Sequence, residues 1–291
     1  MDVLHETRPA DGVFVWTLGG EDVATSYGAN CTAIAGRDAT LLVDPLIAPA
    51  HARLVGEAVS RARLPPVHWV VLTHHHTDHA LGSSWFARNG ATVVAHEECR
   101  RGMRESHPGL IAERRRVLAL ADLFADAESH PPDLTFTDSV AIDLGGIEVV
   151  VRHPGHGHTA GDAIVHVPAR SLAVCGDLVS NGYHVNFEDA SSDGFEDGLE
   201  KLLALGAGVY VPGHGAPGGR EIVDRQLSYV RSVARIVAEG RGRDTDPEEI
   251  AEAVAKAFPG LLLAMVLPDT VRRFSEAADP DLVGRRPPPT V

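Results

Sequence analysis

Residues 67–79 read Val67-His68-Trp69-Val70-Val71-Leu72-Thr73-His74-His75-His76-Thr77-Asp78-His79. The first six, mostly apolar and β-branched, predict a buried strand, and a turn with four histidines and an aspartate follows at once. A strand that stops and turns leaves its next few side chains free to converge on one point. His74 and His76, two positions apart, project the same way from extended chain. Asp78 and His79 open a following helix and face a second point close by. Imidazole nitrogens with a carboxylate form a borderline-to-hard donor set that suits zinc. The plain alternative is a solvated polyhistidine run, but such runs sit at chain ends and lack an embedded aspartate.

Three later stretches repeat the theme of polar residues delivered by a strand end. One is His153-Pro154-Gly155-His156-Gly157-His158-Thr159-Ala160-Gly161-Asp162; the others are Cys175-Gly176-Asp177 and Val211-Pro212-Gly213-His214-Gly215. His156 or His158 would complete three protein ligands for a first metal, Asp177 could bridge two metals, and His214 could serve the second. Taken singly, Asp177 or His214 is more often a structural hydrogen-bonder than a ligand. Four such sites in one chain are hard to ascribe to coincidence.

Working outward, short strand-like runs precede the histidine turn: 12–18, 30–35 and 40–43, the last ending at Asp44. They suggest a meandering sheet. Helical periodicity covers 48–63 and stops at Pro65-Pro66. Beyond the turn, the pattern predicts a helix over 80–88, a strand over 92–95 and mostly helix over 96–127. Strands are expected at 139–142 and 147–151, a hairpin over 163–174, a helix over 195–205 and a strand at 209–211. The remainder is helical: 220–239, 247–257 and 268–278. Thr40–Asp44 and Ser171–Asp177 echo each other as apolar strands that each deliver an aspartate, which suits two similar α/β halves.

With 291 residues the chain can bury a full core. A net charge of −14 argues against a nucleic-acid surface, and no apolar run reaches the roughly 20 residues needed to span a membrane. Three scattered cysteines make no disulfide framework, and the N-terminus shows no secretory signal, so a cytoplasmic location is expected.

These residues together resemble the metallo-β-lactamase fold superfamily of metallo-hydrolases. The family's His-x-His-x-Asp-His pattern stands here as His74, His76, Asp78 and His79, and its upstream strand-end aspartate matches Asp44. Its Gly-x-x-His-Thr element matches Gly155 to Thr159, its bridging aspartate Asp177 and its last histidine His214. The resemblance runs from residue 12 to residue 216; no motif covers the helices after Arg220. It implies an α/β fold, a four-layer αβ/βα sandwich with extra C-terminal helices and metals at one edge between the sheets. It implies two zinc ions, with iron or manganese as alternatives. His74, His76 and His158 would hold one, Asp78, His79 and His214 the other, with Asp177 bridging. His158 is preferred to His156 because the family's ligand stands immediately before a threonine. Asp44 would anchor the histidine loop, and His75 would point away. The expected organisation is a catalytic domain over 1–220, a helical extension packed on it over 221–284 and a disordered tail over 285–291.

The activity so implied is cleavage of a small acyl substrate (thioester, ester or lactone) by a metal-bound hydroxide, with Asp78 accepting or relaying the proton. Tyr183 and His184, on the loop after Asp177, are expected to border the metals and offer a donor to a developing oxyanion. The helices over 96–127 and after 220 would wall the pocket. No Gly-x-Ser-x-Gly element suggests a serine nucleophile. A mononuclear-iron enzyme resembling persulfide dioxygenases is the main alternative. A β-lactamase is weakened because Cys175 stands two residues before Asp177, where the commonest secreted class has its cysteine ligand. A non-catalytic metal-binding role is the remaining reading. The partner is expected to be a small molecule, not nucleic acid or membrane; oligomeric state is not legible.

Overall fold

The computed structural model describes residues 3–277. Seven strands form a first sheet in chain order: β1 (His5–Ala10), β2 (Val13–Thr17), β3 (Asn30–Ala35), β4 (Thr40–Val43), β5 (Val67–Val71), β6 (Thr92–His96) and β7 (Leu134–Phe136). The first four make an antiparallel meander, and β4 to β7 run parallel. A second sheet holds β8 (Ser139–Asp143), β9 (Glu148–Arg152), β10 (Ile164–Val167), β11 (Leu172–Val174) and β12 (Val209–Val211). Its strands are antiparallel except for the parallel pair β11 and β12.

Alternation along each strand assigns the layers. In β2, Val13 and Val15 face the second sheet, while Phe14 and Trp16 face the helices α1 (Pro49–Arg61) and α3 (Ser83–Arg88). Val43, Val71 and Val94 meet Val151, Val165, Val174 and Val211 in the apolar core between the sheets. Behind the second sheet, Ala173 and Tyr210 pack on α5 (Ser192–Ala204), α6 (Arg220–Arg241), α7 (Pro247–Ala257) and α8 (Leu267–Ala277). The order is therefore helices, sheet, sheet, helices, as the αβ/βα sandwich requires. No helix among the described residues is long and apolar enough to cross a membrane.

The structure departs from the sequence expectations in a few elements. The helix expected over 80–88 is two, α2 (Thr77–Ala80) and α3, parted at Gly82. A Cβ at Gly82 would collide with the Pro45 carbonyl, so the chain there is set by a tertiary approach and not by helical periodicity. Over 96–127, helix α4 (Glu97–Arg116) ends at Arg116, and turns follow, with Leu118 almost fully exposed. Strands β1 and β7 lack the expected apolar alternation; β1 is a largely exposed edge. Residues 278–291, with the tail expected over 285–291, lie outside the described residues.

Candidate metal centre

The candidate residues gather where the parallel pairs β4/β5 and β11/β12 end, at one edge of the sandwich. Beyond β5, the 73–79 turn is held by Asp44, whose φ of +56° brings its carboxylate beneath it. Asp44 accepts from the Thr73 amide (2.8 Å) and hydroxyl (2.6 Å), and His79 Nδ1 lies 3.0 Å from its Oδ2. That pairing leaves His79 Nε2 directed at the site, as a carboxylate behind a metal-binding histidine does. His214 is oriented similarly, its Nδ1 donating to the Tyr27 carbonyl at 3.0 Å.

Of four groups of potential donor atoms at this edge among the described residues, two are made of the candidate ligands alone. His74, His76, His158 and Asp177 each offer an atom within 4.8 Å of the others, and Asp78, His79 and His214 form a second such group. Donors around a tetrahedral ion with bonds of about 2.0–2.1 Å stand roughly 3.3 Å apart. Asp78 Oδ2 lies 3.4 Å from both His79 Nε2 and His214 Nε2, and the two nitrogens are 3.3 Å apart. Asp177 Oδ2 lies 3.3 Å from His214 Nε2, 3.6 Å from His158 Nε2 and 4.0 Å from His74 Nε2, so one carboxylate reaches both groups. His76 Nδ1 is 2.9 Å from His158 Nε2. His74 Nε2 is buried with no hydrogen-bond partner, which a metal bond would satisfy. The donor set and its spacing fit two divalent ions.

Electrostatics agree with sites built for cations. Burial alone would raise the Asp78 and Asp177 carboxyls, yet the imidazoles of His79 and His214 hold both well below the usual range. Burial presses on His214 too, but Asp177 and Asp78 carry its pKa up to about 9, and His79 is likewise raised well above normal. His158, buried and beside His76, falls to about 3, and His74 is lowered for the same reasons, burial and neighbouring imidazoles. Protons on His79 and His214 thus occupy places that metal ions would take, because a ligand must be deprotonated.

Seven sequence-derived candidates, His74, His76, Asp78, His79, His158, Asp177 and His214, come together. His158 rather than His156 joins them: the His158 and Thr159 amides donate to Asp162 at 2.6 and 2.8 Å, fixing the turn. Exposed His156 donates through Nε2 to the Asp189 carbonyl (2.7 Å). Tyr183 borders the site, its ring 5.4 Å from that of His214 and its hydroxyl donating to the Gly20 carbonyl at 3.2 Å. His184 does not. Its buried ring turns to the Tyr229 hydroxyl on α6 (2.9 Å), since neighbours on an extended segment point to opposite sides and Tyr183 takes the inner one. The expectation that His184 borders the metals is corrected accordingly.

Sequence reasoning missed Asp189. Its Oδ2 lies 3.1 Å from His76 Nε2 and 3.5 Å from His75 Nε2, so His75 does not simply point away. His75 and His76 hold the Asp189 carboxyl far below the usual carboxylate range.

Comparisons with known proteins identify the family and the fold. The family model described as "Metallo-beta-lactamase superfamily" matches residues 24–214, well over half of the chain. The chain is 26% identical over 210 residues to the 2,4-dinitroanisole O-demethylase subunit alpha of Nocardioides sp. (strain JS1661), covering 72% of this chain and 57% of that protein. To the hydroxyacylglutathione hydrolase of Acidiphilium cryptum (strain JF-5) it is 31% identical over 174 residues, covering 59% and 58%. To the metallo-beta-lactamase type 2 of Bacteroides fragilis it is 29% identical over 114 residues, covering 38% and 46%. The chain thus spans about half the length of these curated relatives. Among solved structures, the metallo-beta-lactamase FIM-1 from Pseudomonas aeruginosa superposes with a TM-score of 0.65 at 19% identity, covering 79% of this chain and 96% of that one. A metallo-beta-lactamase from Pontibacter korlensis gives 0.62 at 23%, covering 79% and 99%; both likenesses are of fold. By its sequence match and its architecture, the chain belongs to the metallo-β-lactamase superfamily.

Proposed function

We propose that this protein is a dinuclear metal hydrolase, with zinc the leading ion, that cleaves a small acyl substrate: a thioester, ester or lactone. The observation that carries the reading is the pair of donor groups joined by Asp177, spaced as two tetrahedral ions require. When bound, such ions polarise a carbonyl and acidify a water to a pKa of roughly 7.

The chain's own residues supply the rest. His74, His76 and His158 would hold one ion and Asp78, His79 and His214 the other, with Asp177 shared. Asp78 keeps some exposure at its carboxylate, and the oxygen not turned to His79 and His214 can take up or pass on a proton. Tyr183 can donate its hydroxyl to a developing oxyanion once it leaves the Gly20 carbonyl. Gly28 makes room for it, since a Cβ there would overlap the Tyr183 hydroxyl. Cys175 argues against the cysteine-ligated class of β-lactamase: it is buried, with Sγ toward the Ala173 carbonyl, and joins neither donor group.

The test pairs elemental analysis with turnover of a thioester, a lactone, nitrocefin and an aryl methyl ether, the last because one relative is named as an O-demethylase subunit. Two zinc equivalents with thioester or lactone turnover support the proposal. One iron with oxygen uptake would replace it by the oxygenase reading, and bound metal without turnover by a non-catalytic one.

A further inference from the structure

Asp189 stands in the segment between β11 and helix α5, and it is gripped from three directions. Its carboxylate meets His76 Nε2 at 3.1 Å and His75 Nε2 at 3.5 Å, both from the turn of the first sheet. Its carbonyl accepts from His156, on the turn that follows β9 in the second sheet. Helix α8 holds the backbone on both sides: Arg273 Nε donates to the Ala190 carbonyl (2.6 Å) and the Thr270 hydroxyl to the Val185 carbonyl (3.3 Å). The rings of Phe187 and Phe274 pack between these bonds, 4.9 Å apart.

His76 faces its candidate ion through Nδ1, whereas His74 and His158 face it through Nε2. A nitrogen that binds a metal must be unprotonated, so the proton of His76 has to reside on Nε2, where Asp189 is the acceptor. A ring turned over, or carrying its proton on Nδ1, would present no lone pair to the ion.

We infer that Asp189 is a positioning residue that fixes His76 for ligation through Nδ1, and that helix α8 sets it there through Arg273. The C-terminal helices then contribute to metal affinity without supplying a ligand. The inference rests on the metal-centre reading and extends it to a long-range support.

Wild type and the variants Asp189→Ala, Asp189→Asn and Arg273→Ala are stripped of metal and titrated with zinc against a chromophoric chelator. Their Co(II) forms are compared by visible absorption, and their metal-free forms by circular dichroism and thermal midpoint. Asp189→Ala is expected to weaken binding of one ion by about 10- to 100-fold, the usual effect of removing a carboxylate behind a ligand histidine. Its Co(II) bands should shift. Asp189→Asn keeps an acceptor oxygen and should restore much of the affinity, a rescue that a merely structural role would not give. Arg273→Ala should lose affinity in the same direction by a smaller factor. Wild-type affinity and an unchanged Co(II) spectrum in Asp189→Ala and Arg273→Ala would overturn the inference and leave the metal centre standing. If Asp189→Ala does not fold, Arg273→Ala decides: wild-type affinity and an unchanged Co(II) spectrum in that variant overturn it. Failure of wild type to take up zinc or cobalt would instead remove the metal centre itself.

Discussion

At the scale of single residues, the bridging carboxylate depends on an absent side chain. Gly213 lies so close to Asp177 that a Cβ there would overlap Oδ1. Gly213→Ala is therefore expected to cost about 1–3 kcal/mol as overpacking and to displace Asp177. Fewer metal equivalents per chain and a lower thermal midpoint should appear together, and two full equivalents would refute the displacement. Gly109 in α4 is the matched control, because an added Cβ meets nothing within 4 Å; alanine there should stabilise by about 0.5–1 kcal/mol. A second residue, His107, supports the histidine turn from outside, its Nε2 lying 2.6 Å from the His75 carbonyl and its Nδ1 3.0 Å from the Ser129 hydroxyl. Fully buried, it has its pKa lowered from 6.5 to about 4, chiefly by that burial. The unfolded chain then binds a proton that the folded one refuses. Stability from this group is complete above pH 6.5 and is lost as pH falls toward 4, by at most about 3 kcal/mol. Denaturant unfolding between pH 7.5 and 4.5 should show a steeper loss for wild type than for His107→Gln; equal slopes would dismiss the assignment. The seven candidate ligands were legible because each follows an apolar strand and chain geometry forces such ends together. Asp189 was not, since Glu188 and Asp193 flank it and no spacing sets it apart. His184 misled because adjacency in sequence hides the alternation that turns it to Tyr229.

Among the elements, those buried on both faces were read well. In β4, Leu41 and Val43 enter the core between the sheets and Leu42 the core beneath the helices, so Leu41 to Val43 is an unbroken apolar run in sequence. Strand β12 and helix α7 carry equally plain signals, and both match their expected bounds, 209–211 and 247–257. Edge strand β1 buries little and was illegible for that reason, while the break between α2 and α3 depends on a carbonyl brought in from Pro45. The helices after residue 219 carry no motif, yet Val233 and Val237 of α6, Val254 of α7 and Phe274 of α8 share one core with Tyr210, Phe195 and Leu199. A fully buried side chain of this kind contributes about 1.5–3 kcal/mol, so the four from these helices contribute about 6–12 kcal/mol, comparable to the whole stability of an ordinary domain. A chain ending at residue 219 is expected to be insoluble or to lack fixed packing, with near-ultraviolet dichroism lost and far-ultraviolet dichroism retained. Cooperative, soluble unfolding of that fragment would show the helices to be an appendage.

For the molecule as a whole, folding concentrates negative charge at the seam between its two sheets. The chain carries a net charge of −14, and Asp44, Asp78, Asp177 and Asp189 converge at one edge of the sandwich. Without metal, that charge is met by protons: His214 titrates at about 9 and His79 well above its usual value, against the burial that opposes both. A raised histidine pKa favours the folded state fully below pH 6.5, and the benefit drains away as pH rises through about 9. A bound ion reverses the sign, because it needs those nitrogens deprotonated and binds more tightly as the pH climbs. Ion at 100 times its dissociation constant adds about 2.7 kcal/mol to folding, which is several degrees of thermal midpoint for a chain of this size. The gap between metal-loaded and chelator-treated protein should therefore widen from pH 6 to pH 9, the stripped form losing stability while the loaded form holds. Thermal unfolding in parallel buffers, with and without chelator, measures it directly. A gap that is constant with pH would mean that ions and protons do not compete for His79 and His214, and that the two sheets are not joined through a shared cation site.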